Sequence, residues 1–577
     1  MNINEAFYQT IGYPKEWLED AKKYGLSESY AIYDPSWHEP IEGVPRISIY
    51  DLFKRTAEKC PDETALIFLD RAITYKELDN MINRFAALLL DLGISKGDAI
   101  SIMLPNSPQH WIAFYAAARI GAVHAPLNVM YKAEEIMYQV RDCGAKTIIT
   151  LDLFYPYFEK LKDTLGIEHV ITTNIKDFAS PEFEVYETLK PFWAAPKKEI
   201  EGTIDFLDSL ERYNPTDAKV SINPQQDVAQ IIYTAGTTGK SKGAMQTHLN
   251  LVHNSITHST LCQCTGKPIN YSVLPMFHTG GFFLFPLPTL YRGGTVITVP
   301  LFDAENALKT IQRYKVNVIF GSPTLYIGLL QHPRFSDYDI GSLQTSAAGA
   351  APVPMELTAA WQAKAGRLMP IGWGMTELNT AGSYNTFNTR KEPASIGLPL
   401  VGEMKIVDEN GRVLPRGQVG EILYRGLQVS KGYFNKPEET ATSFLADGWF
   451  KTGDAGYMDD DGFTHFSDRI KDLIIASGYN IAPVEIEYTI IKHPAVLEVA
   501  VVGVPHEYRG ETIKAFIVLR DEFRGKVTEQ EIMDFCKEKL ATYKVPKMLE
   551  FITDLPKNAI GKTLRRVLRD REQSKIK

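Results

Sequence analysis

Apolar positions recur at helical spacing over Thr74 to Leu92, where Leu78, Ile82, Phe85 and Leu89 fall on one stripe. Thr74 and Glu77 have capping-box spacing at its start, and Gly93 closes it. Ala99 to Leu104 is a short apolar run of strand length. Ser107-Pro108 then opens a second helix that ends near Gly121. Lys146 to Leu151, Ala229 to Tyr233, Asn270 to Leu274 and Thr295 to Val299 are further strand candidates, and Ala304 to Tyr314 is a helix candidate. Strands alternating with helices predict layered α/β architecture with parallel pairing.

The pattern changes after about Pro399. Glycine, aspartate and short alternating runs fill Gly402 to Phe466, which predicts β-hairpins and turns. A compact α+β segment follows. Leu497 to Val504 and Ile513 to Leu519 read as strands, and Thr528 to Leu540 as a helix with Thr528 and Glu531 as its capping box. The predicted fold is a large N-terminal domain of layered α/β subdomains plus a β-rich subdomain, followed by a small α+β C-terminal domain. The boundary is expected near Asp468 to Asp472, giving domains of 1–468 and 469–577. No internal repeat or low-complexity tract interrupts the chain.

Composition narrows the picture modestly. At 577 residues the chain is too long for one ordinary core. A hydrophobic fraction of 44% and a charged fraction of 23% are those of a folded globular protein. A net charge of -8 argues against a broad nucleic-acid footprint. Cys60, Cys143, Cys262, Cys264 and Cys536 are scattered, which suggests reduced thiols, not disulfides. Cys262 and Cys264 lack a second pair at zinc spacing. The N-terminal stretch has no charged segment followed by an apolar one, and no apolar run is long enough to span a bilayer. A cytoplasmic location is expected. Peripheral membrane contact and a homodimer stay open.

Candidate chemistry concentrates in Tyr233-Thr-Ala-Gly-Thr-Thr-Gly-Lys-Ser-Lys-Gly243. Three glycines, three threonines and two lysines follow a strand candidate. Glycines let backbone N–H groups approach an anion, threonines add hydroxyl donors and lysines add charge. A triphosphate needs that set. Two familiar alternatives fail here. A Walker A loop requires glycine at position 234, which is Thr234. The pattern Gly239-Lys-Ser-Lys-Gly243 satisfies the spacing of a hydrolase nucleophile elbow, but a serine between two lysines suits that chemistry poorly.

The segment resembles the signature of the adenylate-forming superfamily, which holds acyl-CoA synthetases, aryl-CoA ligases, firefly-type luciferases and peptide-synthetase adenylation domains. That superfamily usually has Ser at Ala235 and Pro at Ser241. The likeness continues in order from about Ile49 onward. Ala347-Ala-Gly-Ala-Ala-Pro352 matches its adenine-pocket turn. Gly372-Trp-Gly-Met-Thr-Glu377 matches its next motif, with Trp373 where Tyr is commoner. Trp449-Phe-Lys-Thr-Gly-Asp454, Asp468-Arg-Ile-Lys-Asp472, Ser477-Gly-Tyr-Asn-Ile-Ala-Pro483 and Pro556-Lys-Asn-Ala-Ile-Gly-Lys-Thr-Leu-Arg565 complete the set.

The resemblance implies an ATP-dependent acid–thiol ligase with ATP, Mg²⁺ and coenzyme A. ATP and AMP contacts are then expected from Thr234, Ala235, Gly236, Thr237, Thr238, Gly239 and Lys242. Gly349, Ala350, Ala351, Gly372, Trp373, Gly374, Met375 and Thr376 are the expected adenine and phosphate walls. Trp373 would stack on the purine, Glu377 would bind the metal, and Asp454 and Arg469 would hold the ribose. Thr238, Glu377, His278 and Lys562 are the catalytic candidates. Lys471 is the implied hinge, and Ser477, Gly478 and Tyr479 line the thiol tunnel, with Glu485 continuing that motif. His278, Gly280, Gly281, Gly349 and Gly374 form the implied acyl pocket, with Phe282, Phe283 and Leu284 adding apolar surface. No aspartate stands near His278 to hold an amino acid's ammonium, which disfavours an amino acid, and the room that Gly280, Gly281, Gly349 and Gly374 would leave favours a medium- or long-chain fatty acid. Three alternatives stay open: an aryl or branched short-chain acid, transfer to a carrier-protein thiol, and a nucleotide-binding protein without chemistry. Glu377 and Lys562 together argue against the last.

Overall fold

The computed structural model describes residues 19, 43–234, 241–262, 264–351, 353–385, 395–399, 402–476, 479–506, 510–557 and 563–575. Among these, two sheets form the large N-terminal part. One runs in the spatial order Gly432–Tyr433, Lys242–Thr247, Val228–Thr234, Val123–Pro126, Ala99–Met103, Thr147–Leu151, His169–Thr173 and Ile204–Asp205. Its pairings from Val228–Thr234 to Ile204–Asp205 are parallel. The other runs Thr345–Ala348, Val318–Gly321, Ile269–Ser272, Thr295–Thr298, Thr64–Phe68 and Arg71–Thr74, parallel except for its last pair.

The parallel pairing expected from the alternating pattern is what forms, and parallel strands are stable only when both faces are covered. Ala133–Cys143 and Tyr155–Leu165 cover one face of the first sheet, and Ala304–Tyr314, Pro323–Gln331 and Met355–Ala365 one face of the second. The remaining faces are covered by Ile49–Lys59, Tyr75–Asp91, Pro108–Ile120 and His248–Thr257. Apolar residues of these four helices join Leu66 and Phe68 of one sheet and Ile100, Ile102 and Ala229 of the other in a single core. Local signals set their ends. Thr74 accepts from the Glu77 amide while Glu77 reaches back, completing the capping box, and Leu78, Ile82, Phe85 and Leu89 are fully buried. Ser107 caps Pro108–Ile120, and Gly121 ends it in the left-handed conformation.

Two antiparallel sheets follow. One consists of Gly372–Met375, Thr380–Tyr384 and Leu398–Pro399. The other consists of Glu403–Val407, Gly420–Arg425, Phe450–Met458 and Thr464–Arg469. The second is the β-rich region expected after Pro399. After the short turn Ile470–Asp472, a further sheet forms from Tyr479–Ile481, Ile474–Ala476, Gly510–Leu519 and Val496–His506. Met548–Phe551 pairs parallel with Gly510–Leu519. Helices Pro483–Ile490 and Glu529–Lys539 pack on this last sheet, and two apolar clusters there draw only on residues from Ile474 onward. Among the described residues, no helix is long and apolar enough to cross a membrane.

Candidate active site

Strands Val228–Thr234 and Lys242–Thr247 pair antiparallel, and Thr234 lies opposite Lys242 as their last pair. The glycine- and threonine-rich segment therefore joins two strands that pair with each other. Ala235, Gly236, Thr237, Thr238 and Gly239 lie outside the described residues. The flanks of the segment are tied to their surroundings. Tyr233 Oη donates to Asp142 Oδ2 at 2.7 Å, and Tyr138 Oη donates to the Ser241 carbonyl at 2.8 Å.

Lys242 Nζ lies 4.9 Å from the centroid of the Tyr433 ring, a cation–π contact. The same tyrosine donates its hydroxyl to Glu377 Oε1 at 2.8 Å. Burial, then the neighbouring Glu377 carboxylate, push the Tyr433 hydroxyl well above its ordinary pKa, so it stays a proton donor. Glu377 sits half-buried in the short turn Thr376–Leu378, whose Thr376 carbonyl accepts from Gln246 Nε2 at 3.0 Å. Gln246 in turn accepts from Gln230. Gln230 Oε1 lies 3.1 Å from His124 Nδ1, and His124 Nε2 lies 3.1 Å from His110 Nε2. This buried polar chain fixes the strand Lys242–Thr247 against the Glu377 turn.

The small-residue turn and the Gly372 strand meet. The Ala348 amide donates to the Pro370 carbonyl, and Ala348 bridges Ile371. A Cβ on Gly349 would lie 2.8 Å from the Gly372 carbonyl and 3.1 Å from the Phe320 ring, so only glycine fits between them. Ala350 has φ +65° and is exposed, and Ala351 is half-exposed beside it. Gly374 and Met375 lie on the same strand, where a Cβ on Gly374 would overlap the Thr380 carbonyl.

Trp373 does not stand out as a free platform. It is 8% exposed and packs in a cluster with Leu378, Met404, Ile422 and Phe450. Its indole N–H donates to Asp454 Oδ2 at 2.9 Å. Trp373 faces inward and Gly374 beside it faces out, as strand alternation dictates. Asp454 and Arg469 are cross-strand partners, and Arg469 Nε lies 2.9 Å from Asp454 Oδ1.

The acyl-pocket expectation is partly redrawn. His278 caps the turn Thr279–Phe282, its Nδ1 accepting from the Gly280 amide at 3.1 Å. A Cβ on Gly281 would overlap the Pro275 carbonyl, so this glycine serves a close backbone approach instead of opening space. Phe282 and Phe283 turn away into the main core, where Phe282 contacts Trp111 and Phe114. A small crevice of about 10 Å³ is lined by Asn270, Ser272, Leu274, Gly280, Gly281, Phe285 and Phe320, among others. Tyr271, Phe285 and Phe320, not Phe282 and Phe283, are its aromatic walls, and Phe320 also abuts Gly349.

Lys471 lies in the turn Ile470–Asp472, where its carbonyl accepts from Arg569 Nη1 at 2.8 Å. Arg565 bridges that junction, with Nη1 2.9 Å from Asp468 Oδ1 and Nη2 2.6 Å from Glu487 Oε2. Lys562, Ser477 and Gly478 lie outside the described residues. The segment carrying Lys562 is closed at its base, where the Leu564 amide donates to the Pro556 carbonyl at 2.7 Å. The backbone of Tyr479 pairs with Ala476. Tyr433, Gln230, Gln246 and His124 escaped the sequence reading. Their only signal is polar residues set in otherwise apolar strands.

Fold and site define an α/β protein with two mainly parallel sheets on one core, a glycine- and threonine-rich segment between two of their paired strands, and a C-terminal sheet with apolar clusters of its own. The chain belongs to the AMP-binding enzyme family, whose model matches residues 53–434, with the AMP-binding enzyme C-terminal domain matching 485–562. A long-chain-fatty-acid–CoA ligase of Bacillus subtilis is 36% identical over 544 residues, covering 92% of this chain and 95% of that protein. An Escherichia coli protein of the same name is 35% identical over 543 residues, with 92% and 95% coverage. Among solved structures, ATP-bound MatB from Rhodopseudomonas palustris matches with a TM-score of 0.82 at 31% identity, covering 92% of this chain and 100% of that one. The anthranilate CoA ligase AuaEII in complex with anthranoyl-AMP matches at 0.80 and 28% identity, covering 92% and 98%.

Proposed function

We propose that this protein is an ATP-dependent fatty acid–CoA ligase that works through an acyl-adenylate. One observation carries the reading. The Lys242–Tyr433–Glu377 contact sets the foot of the glycine- and threonine-rich segment against the candidate metal-binding carboxylate. Long-chain-fatty-acid–CoA ligases of similar length and ATP- and acyl-AMP-bound structural relatives support it.

A carboxylate is a poor electrophile. Its attack on the α-phosphorus of ATP expels pyrophosphate and gives the acyl carbon AMP as a leaving group. Negative charge gathers on phosphate oxygens, so positioned donors and cations carry the rate. The donors are Thr234, Ala235, Gly236, Thr237, Thr238 and Gly239, with Lys242, Thr376 and Lys562 adding charge and hydroxyl contacts. Magnesium, when bound, neutralises phosphate charge. Glu377 would hold it, because a carboxylate with one oxygen already fixed suits a cation that keeps water and phosphate oxygens around it. Gly349, Ala350, Ala351, Gly372 and Gly374 wall the adenine and the acyl group, and Asp454 and Arg469 take the ribose. Coenzyme A thiolate then attacks the acyl carbon and AMP leaves. Rotation of the 469–577 lobe about Lys471 exchanges Lys562 for the Ser477, Gly478 and Tyr479 segment between the two steps.

The relatives favour a long chain. The anthranilate CoA ligase among the structural relatives supports a second reading, an aryl or branched short-chain acid. A cytoplasmic setting fits five unpaired cysteines. Pyrophosphate release over a panel of carboxylic acids, with and without coenzyme A, tests the proposal. Release with fatty acids and thioester formation on adding coenzyme A are expected. No acid-dependent release would remove the adenylation reading, and release without a thioester would point to a carrier-protein acceptor.

A further inference from the structure

Asp454 is buried (3% exposed), and its two oxygens are treated differently. Oδ2 accepts the indole N–H of Trp373 at 2.9 Å. Oδ1 has Arg469 Nε at 2.9 Å, but that contact lacks the alignment of a hydrogen bond. No described residue donates a hydrogen bond to Oδ1. The guanidinium charge offsets the burial of Oδ1, but that oxygen's hydrogen-bonding capacity is unfilled, so it can accept from a donor that arrives from outside.

We infer that Trp373 is a positioning residue for nucleotide selection. Its indole N–H holds Oδ2 and so keeps the carboxylate from closing on the Arg469 fork with both oxygens, which leaves Oδ1 beside a single guanidinium nitrogen with room to accept from a ribose hydroxyl. The inference rests on the adenylation reading above, in which Asp454 takes the ribose. A phenol or phenyl at position 373 has no N–H at that place. Without it, the carboxylate is free to rotate and close on the Arg469 guanidinium with both oxygens, since planar carboxylate–guanidinium pairing is the favoured geometry. The ribose would then meet an acceptor already engaged. Trp373 does this from within the apolar cluster of Leu378, Met404, Ile422 and Phe450, which fixes the ring plane and therefore the direction of the N–H.

Substrate hydroxyls provide the test. Pyrophosphate release is measured with ATP, 2′-deoxy-ATP and 3′-deoxy-ATP on the full chain and on Trp373→Phe. A second variant places 3-benzothienylalanine at position 373, which replaces only the N–H by sulfur and keeps the ring's shape. Thermal unfolding checks that both variants fold. The unaltered protein should prefer ATP to at least one deoxy analogue by about tenfold in kcat/KM, the usual scale for one charged hydrogen bond. Both variants should lose about tenfold toward ATP, mainly through KM, while activity with that analogue changes less than about twofold. Discrimination then nearly disappears. An equal loss toward all three nucleotides, or no loss, would overturn the inference. Asp454→Ala separates the two levels. If it abolishes discrimination while the Trp373 variants retain it, the inference alone fails. If the unaltered protein does not discriminate at all, the assignment of Asp454 to the ribose fails with it.

Discussion

Replacing Tyr433 with phenylalanine removes one hydroxyl and little else. The ring that lies 4.9 Å from Lys242 Nζ remains, and so does its edge contact with Phe444. What disappears is the 2.8 Å hydrogen bond to Glu377 Oε1. A hydrogen bond to a charged group contributes about 1.5–3 kcal/mol, and half-burial of Glu377 places this one near the lower end. If that contact orients the carboxylate for magnesium, its loss should weaken apparent Mg²⁺ activation by about tenfold, the equivalent of about 1.4 kcal/mol. Pyrophosphate release titrated with Mg²⁺ at fixed ATP measures it. The half-maximal Mg²⁺ concentration should rise about tenfold while the rate at saturating Mg²⁺ falls less than about threefold. Tyr433→Leu also removes the ring beneath Lys242 and should raise the KM for ATP as well. An unchanged Mg²⁺ titration in Tyr433→Phe would refute the link between hydrogen bond and metal. So would a Glu377→Gln variant whose Mg²⁺ dependence matches that of the unaltered protein.

Other expectations separate roles that look alike. Gly281→Ala should lower the melting temperature sharply or prevent folding, because its Cβ overlaps the Pro275 carbonyl; Gly280→Ala, 3.3 Å from His278 Nδ1, should be tolerated. Lys562→Ala should cripple acyl-adenylate formation yet largely spare thioester formation from supplied acyl-adenylate; equal loss in both half-reactions would contradict the two-state assignment. Burial holds His110, His248 and His258 down at about 4 and His253 at about 3, against an ordinary 6.5. The unfolded chain takes up these protons near 6.5 and the folded chain only near 4 or below, so stability is full above pH 6.5 and is lost as pH falls through that window. Each site can contribute on the order of 3 kcal/mol. Urea unfolding should therefore weaken steeply below pH 6.5, and His253→Leu should flatten the slope by about one proton.

Much of the fold was legible because its signals are local. Thr74 and Glu77 cap Tyr75–Asp91 through contacts within one turn, and Ser107, Pro108 and Gly121 bound the next helix in the same way. In His248–Thr257 the helical spacing of Leu249, Val252 and Ile256 is hard to read because all ten residues are buried, and a helix covered on every side has no exposed polar face to set off its period. The two-glycine step at Gly280 and Gly281 suggested room, but a glycine equally permits a backbone to pass close to a carbonyl, and at Gly281 that is what forms. Trp373 shows the limit most clearly. An indole can be a purine platform or a core residue, and the choice depends on Asp454, 81 positions away. Likewise the Gln246 bond to Thr376 spans 130 positions and leaves no local trace.

The central claim is that the substrate carboxylate itself attacks the α-phosphorus. A fatty acid labelled with heavy oxygen in its carboxylate, turned over with ATP and coenzyme A and followed by mass spectrometry, tests it directly. One labelled oxygen should appear in AMP, one should remain in the thioester carbonyl, and none should enter pyrophosphate. Label in inorganic phosphate, or unlabelled AMP formed alongside thioester, would contradict an acyl-adenylate intermediate.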